Sequence, residues 1–493
     1  MNGGSGGNGG VHAGRLFLGS CVALIATSVA FATVGAIMFD LKGEFVLNNA
    51  QVGWIGGAAI WGFAVSQVFF APFCDTLGMR FLVRMAFVGH LAGALVLILA
   101  NGFWTLFAGA LIIAMANGLV EAACNPLVAA LYPDNKTVKL NQFHVWFPGG
   151  IVLGGLAAWG LDAAGVASWQ VKVALILIPT AAYGLLLLRQ RFPVTEGVRS
   201  GVSVGEMFSA TLMTPLMLLM LLCMAMTASL ELGPNRWVPA VLEAGGMRGI
   251  LVLVYINGIM ALLRLCAGPV VHRLSPTGIL LASAVLSGAG LLWLSYGGSA
   301  STVIAAATVF AVGVCYFWPT MLGFVSERIP KSGALGLGLM GTVGMAVVGL
   351  VTSPLMGEIA DRAAHDMLDE DQVAVVLAEA AGALESQSLR TPGSEGNDLR
   401  AALERVRGVF EGYEADGALP PVETANALRS VIESGSTSPA VEEARGLLGP
   451  AENYGGLISF RYVVPLSGFL IVVFGLLYIR QRREGGYRAE RLS

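Results

Sequence analysis

Three polar residues interrupt one of the most apolar stretches of the sequence. Asn117, Glu121 and Asn125 lie in "ANGLVEAACNPLV" (116–128), and their spacing of four residues places them on one face of a helix. A carboxylate at the centre of a membrane helix costs roughly 2.5–3.5 kcal/mol to insert, so such a residue usually faces a cavity or a polar partner. We predict that all three side chains contact a polar solute and that Glu121 also exchanges a proton. A hydrogen-bonded clasp between helices is the alternative.

The composition is that of an integral membrane protein. Of 493 residues, 55% are hydrophobic and only 12% are charged, whereas a soluble domain carries about 25% charged residues. The mean hydropathy is +0.72. A helix needs about 20 apolar residues to cross roughly 30 Å of hydrocarbon. Twelve segments meet this length and are predicted to be spans 1 to 12, in chain order 15–39, 50–73, 81–100, 103–132, 142–163, 169–190, 211–232, 249–271, 277–296, 301–326, 333–358 and 457–479.

An internal repeat predicts two halves of six spans each. The segment "QVFFAPFCDTLGMR" (67–80) after span 2 resembles "RLCAGPVVHRLSPT" (264–277) after span 8. Two such halves with a solute site between them are a recurrent transporter design. The predicted organisation is a flexible Gly-rich tail (1–14), an N-terminal six-helix bundle (15–192), a central cytoplasmic loop (193–210), a C-terminal bundle (211–360 and 457–480), an acidic helical insert (361–456) and a basic cytoplasmic tail (481–493).

Basic residues in the short loops predict the orientation. They concentrate in the loops that share a side with the Arg-rich C-terminal tail, so both termini are predicted to be cytoplasmic and the insert to lie outside. The membrane is predicted to be the cell (inner or plasma) membrane. Amphipathic patterns in the insert, with Val373, Leu377 and Leu384 on one face, favour a small helical cap. A poorly ordered insertion is the alternative.

Further polar residues within the spans are candidates for the same path. Amides bond sugar hydroxyls and aromatic faces stack on sugar rings, so we predict substrate contacts for Gln67, Tyr255, Asn257, Tyr316 and Trp318. Helix packing is the alternative for each aromatic residue. The sequence shows no basic cluster in the predicted cavity, and this disfavours anionic substrates.

Charged and polar residues near the ends of the spans are candidates for gates. Asn141 and His144 are predicted to act at the start of span 5, and Glu231 where "LGPNRW" is expected to end span 7. A ligand role is the alternative for His144 and Glu231, and helix packing is a further alternative for His144. Arg264 is expected to form a structural ion pair with Glu327.

The segment "APFCDTLGMRFLVR" resembles the loop 2–3 signature of the major facilitator superfamily, with Asp75, Gly78 and Arg80 matching. The resemblance implies a twelve-helix transporter in which Asp75, Arg80 and Arg84 form a cytoplasmic charge clasp. The segment "EAACNPLVAALYPDNKTVKLNQFHVWFPGG" is similar to the fucose and glucose/galactose proton symporter branch, which implies sugar binding or proton coupling by Glu121. Span 1 departs from that branch, because it lacks an Asn-Asp pair and carries only Asp40.

We therefore predict an all-α integral membrane protein that moves a neutral polar solute, a hexose-type sugar, by alternating access with proton coupling. The alternatives are a carrier or exporter of another solute, such as a nucleoside or drug-like compound, and a receptor or scaffold that acts through the insert. No nucleophile, phosphate loop or Cys/His metal cluster indicates an enzyme, a cofactor or a metal site. The expected partners are the solute, a proton and membrane lipid, without nucleic acid, and nothing in the sequence demands an oligomer.

Overall fold

The computed structural model describes residues 10–45, 47, 49–166, 168–416 and 419–492, and in this part of the chain every regular element is a helix. Eleven helical segments are long and apolar enough to cross a membrane, and the shorter Gly249–Leu265 completes a twelve-span arrangement. Lipid cannot bond exposed backbone groups, and a helix satisfies these groups internally. The spans are, in chain order, Ala13–Ala36, Gln51–Leu77, Met79–Ile98, Phe103–Leu131, Lys136–Ala163, Trp169–Leu187, Pro215–Ala244, Gly249–Leu265, Ala267–Leu294, Ala300–Arg328, Pro330–His365 and Pro439–Arg483.

The end of span 7 differs from the predicted one, whereas the turn between spans 8 and 9 falls within the predicted gap. The predicted end of span 7 at "LGPNRW" is wrong, because the helix continues to Ala244 with Pro234 and Pro239 inside it. Glu231 and Pro234 are buried, so this segment belongs to the bundle rather than to a loop. Neighbouring helices make such prolines tolerable within a membrane. Between spans 8 and 9 the turn lies at Ser275, whose φ of 62° interrupts the helix Ala267–Leu294.

The two halves pack against each other through spans 2 and 11 and through spans 5 and 8. A Cβ built at Gly338 of span 11 would overlap the Cβ of Ala71 in span 2. A Cβ built at Gly149 of span 5 would lie 3.9 Å from the Cβ of Ala261 in span 8. Small residues let helices of different halves approach closely where lipid supplies no hydrophobic driving force.

The face that carries residues 484–492, here named the tail side, is closed by hydrogen bonds between the halves. The backbone N–H and hydroxyl of Thr137 donate to Glu327 Oε1 over 2.9 and 2.8 Å. Asn141 Nδ2 donates to Thr320 Oγ1 over 3.2 Å. The Tyr487 hydroxyl in the tail donates to Glu327 Oε2 over 2.6 Å. This arrangement is named the tail-closed state.

The insert lies on the opposite face, named the insert side, and has a hydrophobic core separate from that of the spans. Leu377, Val406, Leu428 and Ala444 are among the residues buried in this core. Its helices are Glu370–Ser388, Ser394–Asp416, Pro421–Glu433 and the start of Pro439–Val463. The last of these forms the first part of span 12, which continues from Pro465 after a turn at Val464.

Polar contacts fix the insert to both halves. Arg429 lies 3.8 Å from Asp361 near the end of span 11, and Asn453 Nδ2 donates to the carbonyl of Val241 in span 7 over 2.6 Å. Toward the N-terminal half, the exposed ion pair Lys42–Glu433 measures 3.9 Å. The insert is therefore held firmly on the C-terminal half and contacts the other half at its edge.

Candidate functional site: a buried polar cluster between the halves

The three polar residues of span 4, Asn117, Glu121 and Asn125, lie in two different environments. Glu121 Oε2 accepts a hydrogen bond from Asn125 Nδ2 over 2.7 Å, and Asn125 Oδ1 lies 3.0 Å from Nε2 of His144 in span 5. Asn117 instead turns into its own bundle, where its Oδ1 lies 2.8 Å from Nε2 of His90. Glu121 and Asn125 are therefore placed together at the centre, whereas Asn117 is engaged elsewhere.

The geometry around His144 leaves two acceptors facing each other. Asn125 Oδ1 only accepts, so His144 Nε2 must carry the proton of that bond. His144 Nδ1 then points its lone pair toward Glu121 Oε1, 3.8 Å away. A proton on either group removes the repulsion between them. The pair is thus arranged to bind one further proton.

Two prolines expose the backbone carbonyls that hold Arg264. A proline cannot donate to the carbonyl four residues before it, so Pro148 and Pro319 remove the usual helical donors to the carbonyls of His144 and Cys315. The His144 carbonyl keeps only a long bond from the Phe147 N–H, over 3.4 Å. Arg264 Nη1 donates to the His144 carbonyl over 2.9 Å, and Arg264 Nε donates to the Cys315 carbonyl over 2.5 Å. The guanidinium thereby joins span 8 to span 10 of its own half and to span 5 of the other half.

The same guanidinium forms a buried ion pair. Arg264 Nη2 lies 2.9 Å from Glu231 Oε1, and the two side chains are 1% and 4% exposed. Glu231 Oε2 has no hydrogen-bond partner within the described residues. The expected Arg264–Glu327 pair is wrong, since Glu327 bonds Thr137 and Tyr487 on the tail side.

These groups surround a small central cavity. Its volume is about 20 Å³, lined by Phe63, Glu121, His144, Phe147, Glu231, Leu232, Arg264, Trp318 and Met345. This space holds about one water molecule, so the halves must separate before a larger solute can enter. A larger cavity of about 930 Å³ opens on the tail side, between residues 133–138 and the C-terminal tail. The tail-side hydrogen bonds lie between it and the central cluster.

Four other predicted substrate residues lie in different surroundings. The Tyr255 side chain is 37% exposed and bonds Thr308. Asn257 donates to the carbonyl of Leu253 on its own helix, and the Tyr316 hydroxyl donates to the carbonyl of Leu263. Gln67 is buried against Gly341 of span 11, and its amide atoms have no partner in the described part of the chain.

The predicted gate residues lie mostly on the tail side. Asp75 Oδ1 accepts from the Thr195 hydroxyl of the central loop over 2.6 Å. Arg80 and Arg84 are exposed, and within the described residues neither forms an ion pair with Asp75. Gly78 has a φ of 83° and ends the short helix Cys74–Leu77, and Asn141 bonds Thr320 across the halves. Glu231 and His144, predicted as gates or ligands, lie in the central cluster.

Sequence reasoning missed the role of Arg264. The guanidinium of Arg264 lines the central cavity together with Glu231, although the sequence predicted an ion pair outside the cavity for this arginine. The signal was the pair of prolines four residues after His144 and Cys315, because each proline removes the usual helical donor to one of these carbonyls.

Two helical bundles that meet at a buried polar cluster are the architecture of secondary transporters. The chain belongs to the Major Facilitator Superfamily, whose family description matches residues 16–363. It is therefore an integral membrane transporter and not an enzyme. No curated protein sequence matches the chain.

Solved structures with this fold include two sugar transporters and an anion transporter. The transporter FucP in its outward conformation has a TM-score of 0.59 and 19% identity, covering 70% of this chain and 92% of its own. The proton:xylose symporter XylE has a TM-score of 0.58 and 12% identity, and the match covers 70% of this chain and 89% of XylE. The human organic anion transporter MFSD10 has a TM-score of 0.56 and 13% identity, and the match covers 70% of this chain and 93% of MFSD10. At these identities the similarity establishes the fold.

Proposed function

We propose that the protein is a secondary active transporter that carries a neutral polar solute of the hexose type, by alternating access, together with a proton that binds at Glu121. The observation that carries this proposal is the arrangement of Glu121, Asn125 and His144, in which two buried acceptors face each other over 3.8 Å. A proton bound there changes the electrostatics at the junction of the halves, which is what coupling requires.

The charges of the cluster support a single coupled proton. Glu121 and Glu231 contribute two carboxylates and Arg264 one guanidinium, so one added proton balances the cluster when His144 is otherwise neutral. An unbalanced charge in a low-dielectric site is expensive. Because Arg264 also bonds the His144 carbonyl of the other half, protonation beside His144 acts directly on a contact between the halves.

The tail-side contacts support alternating access. Thr137–Glu327 and Asn141–Thr320 are hydrogen bonds that break when the halves rock apart. The concentration of Arg and Lys in the loops of that side supports its placement in the cytoplasm. In this proposal the tail-closed state receives solute from the insert side.

The central side chains support a neutral solute. Trp318 offers an aromatic surface for a sugar, and Glu231 neutralises Arg264. The fold neighbours FucP, a fucose:proton symporter, and XylE, a proton:xylose symporter, agree with this solute class.

A solute that bears a carboxylate is the second candidate. It is favoured by the guanidinium of Arg264, which lines the cavity and which an anionic solute would engage in place of Glu231. A neutral hexose and a carboxylate are separated by competition in one uptake assay.

The experiment is uptake of labelled hexoses into proteoliposomes with and without an inward proton gradient. We expect the gradient to drive accumulation by the wild type and not by Glu121→Gln. Glu442→Gln, which replaces an exposed carboxylate on the insert, is the matched control and should behave as the wild type. Gradient-driven accumulation by Glu121→Gln would contradict the proposed proton site, and inhibition by carboxylates but not by hexoses would favour the second candidate.

A further inference from the structure

The central loop between the halves contains a helix, Val204–Leu212, that ends just before span 7. Its start is well defined, because the Ser203 backbone N–H donates to Glu206 Oε2 over 2.9 Å and the Ser203 hydroxyl accepts from the Glu206 N–H over 3.2 Å. This reciprocal arrangement is a capping box, which stabilises a helix N-terminus. The segment is thus a fixed element and not an unstructured linker.

One face of this helix packs on the protein. Met207 and Thr211, four residues apart, are 3% and 0% exposed. Met207 Sδ lies 3.4 Å from a Cβ built at Gly333, the residue that begins the helix of span 11. The helix therefore lies level with the tail-side ends of spans 7 and 11.

A second face is apolar and uncovered. Val204, Phe208 and Leu212 are spaced by four residues and are 51%, 38% and 48% exposed. At 100° per residue this stripe lies beside the buried face, whereas Glu206 and Ser209, both exposed, lie on the remaining side. The helix thus has three faces, one toward the protein, one apolar and one polar.

The apolar face continues into the lipid-facing surface of span 7. Met213, directly after the helix, is 76% exposed, and Leu218 and Leu222 follow on span 7 at 49% and 46%. The outer surface of a membrane span contacts lipid chains. An apolar surface that is continuous with it, and bordered by a polar face, matches a helix that lies in the membrane interface.

We infer that the helix Val204–Leu212 is an interfacial element whose Val204–Phe208–Leu212 face is inserted into the lipid at the tail-side surface of the bilayer. Lipid is thereby the partner of the central loop, and the connection between the halves is anchored in the membrane rather than free in solution. The Glu206 and Ser209 side faces water.

Spin labels on two adjacent positions test the inference in proteoliposomes. Phe208→Cys and Ser209→Cys are made in a Cys266→Ser background, since Cys266 is the exposed native cysteine and the other five are buried. Collision rates with oxygen, which concentrates in lipid, and with a water-soluble nickel chelate are measured for each label. Leu218→Cys supplies the reference for a lipid-facing site.

We expect the label at position 208 to favour oxygen, as at position 218, and the label at position 209 to favour the nickel chelate by several-fold. Equal nickel accessibility at positions 208 and 209 would overturn the inference. So would a label at position 208 that is shielded from both reagents, because that result indicates a protein partner or a second copy of the chain. Retained elution as a monodisperse species in detergent shows that each variant has folded.

Discussion

Arg264→Met is the substitution whose consequences the structure specifies most fully. The guanidinium has three acceptors, namely the carbonyls of His144 and Cys315 and the carboxylate of Glu231. Methionine preserves much of the volume and removes every donor. Both carbonyls then lose the partner that replaces the missing proline N–H, and Glu231 remains in the interior without its counter-charge.

The expected loss of stability is large. Breaking a buried ion pair by removing one partner costs about 3–5 kcal/mol. The Cys315 carbonyl, left without a donor, adds about 1–3 kcal/mol, whereas the His144 carbonyl keeps its long bond from the Phe147 N–H. We therefore expect Arg264→Met to lower the free energy of unfolding by at least about 3 kcal/mol. Arg264→Lys keeps the charge but not the planar fork that reaches three acceptors, so an intermediate loss is expected.

A double-mutant cycle in mixed detergent micelles measures the ion pair. Glu231→Met is combined with Arg264→Met, and unfolding is followed by intrinsic fluorescence. Because the double variant contains no unpaired buried charge, we expect it to be more stable than the sum of the two single losses predicts, by about 1–3 kcal/mol. Additive losses, within about 0.5 kcal/mol, would refute the reasoning.

Three further changes test the packing of the halves, the insert and the tail. Gly338→Ala places a methyl group against Ala71 of the other half, so it should disfavour the tail-closed state and raise maleimide labelling of Cys74, which is buried next to Asp75 on the tail side. Gly155→Ala, with open space around it, should not. Leu377→Ala should lower the stability of the insert by about 2–5 kcal/mol, seen as faster proteolysis there, without lowering solute uptake. Tyr487→Phe should release the tail to protease at neutral pH. In the wild type, burial raises the pKa of the Tyr487 hydroxyl well above its usual range, so the tail should stay protected until the pH exceeds about 10.

The all-helical, twelve-span fold was predictable because the apolar segments that indicate it are long and recur along the chain. Each span needs about 20 apolar residues, and an error of a few residues does not change the number of spans. Span 7 shows the limit of this reasoning. Pro234 is a helix breaker in water, but its position inside a bundle allows the helix to continue to Ala244.

The central cluster was only partly predictable. Glu121 and Asn125 follow from spacing on one helix, whereas the Arg264–Glu231 pair joins two helices, and no pattern within either segment shows that the other is its partner. The position of Arg264 was misjudged because distance along span 8 does not show where a long side chain ends. Asn117 lies on the same helix face as Glu121, but its side chain contacts His90 of span 3 instead of the central cluster.

The most direct test of proton coupling at Glu121 is the internal pH of proteoliposomes when solute is added without an imposed gradient. A transported hexose should acidify the lumen of wild-type vesicles, whereas Glu121→Gln should exchange labelled hexose across the membrane without any change in pH. Acidification by Glu121→Gln at the wild-type rate would contradict the account, because the proton would then be carried by another group.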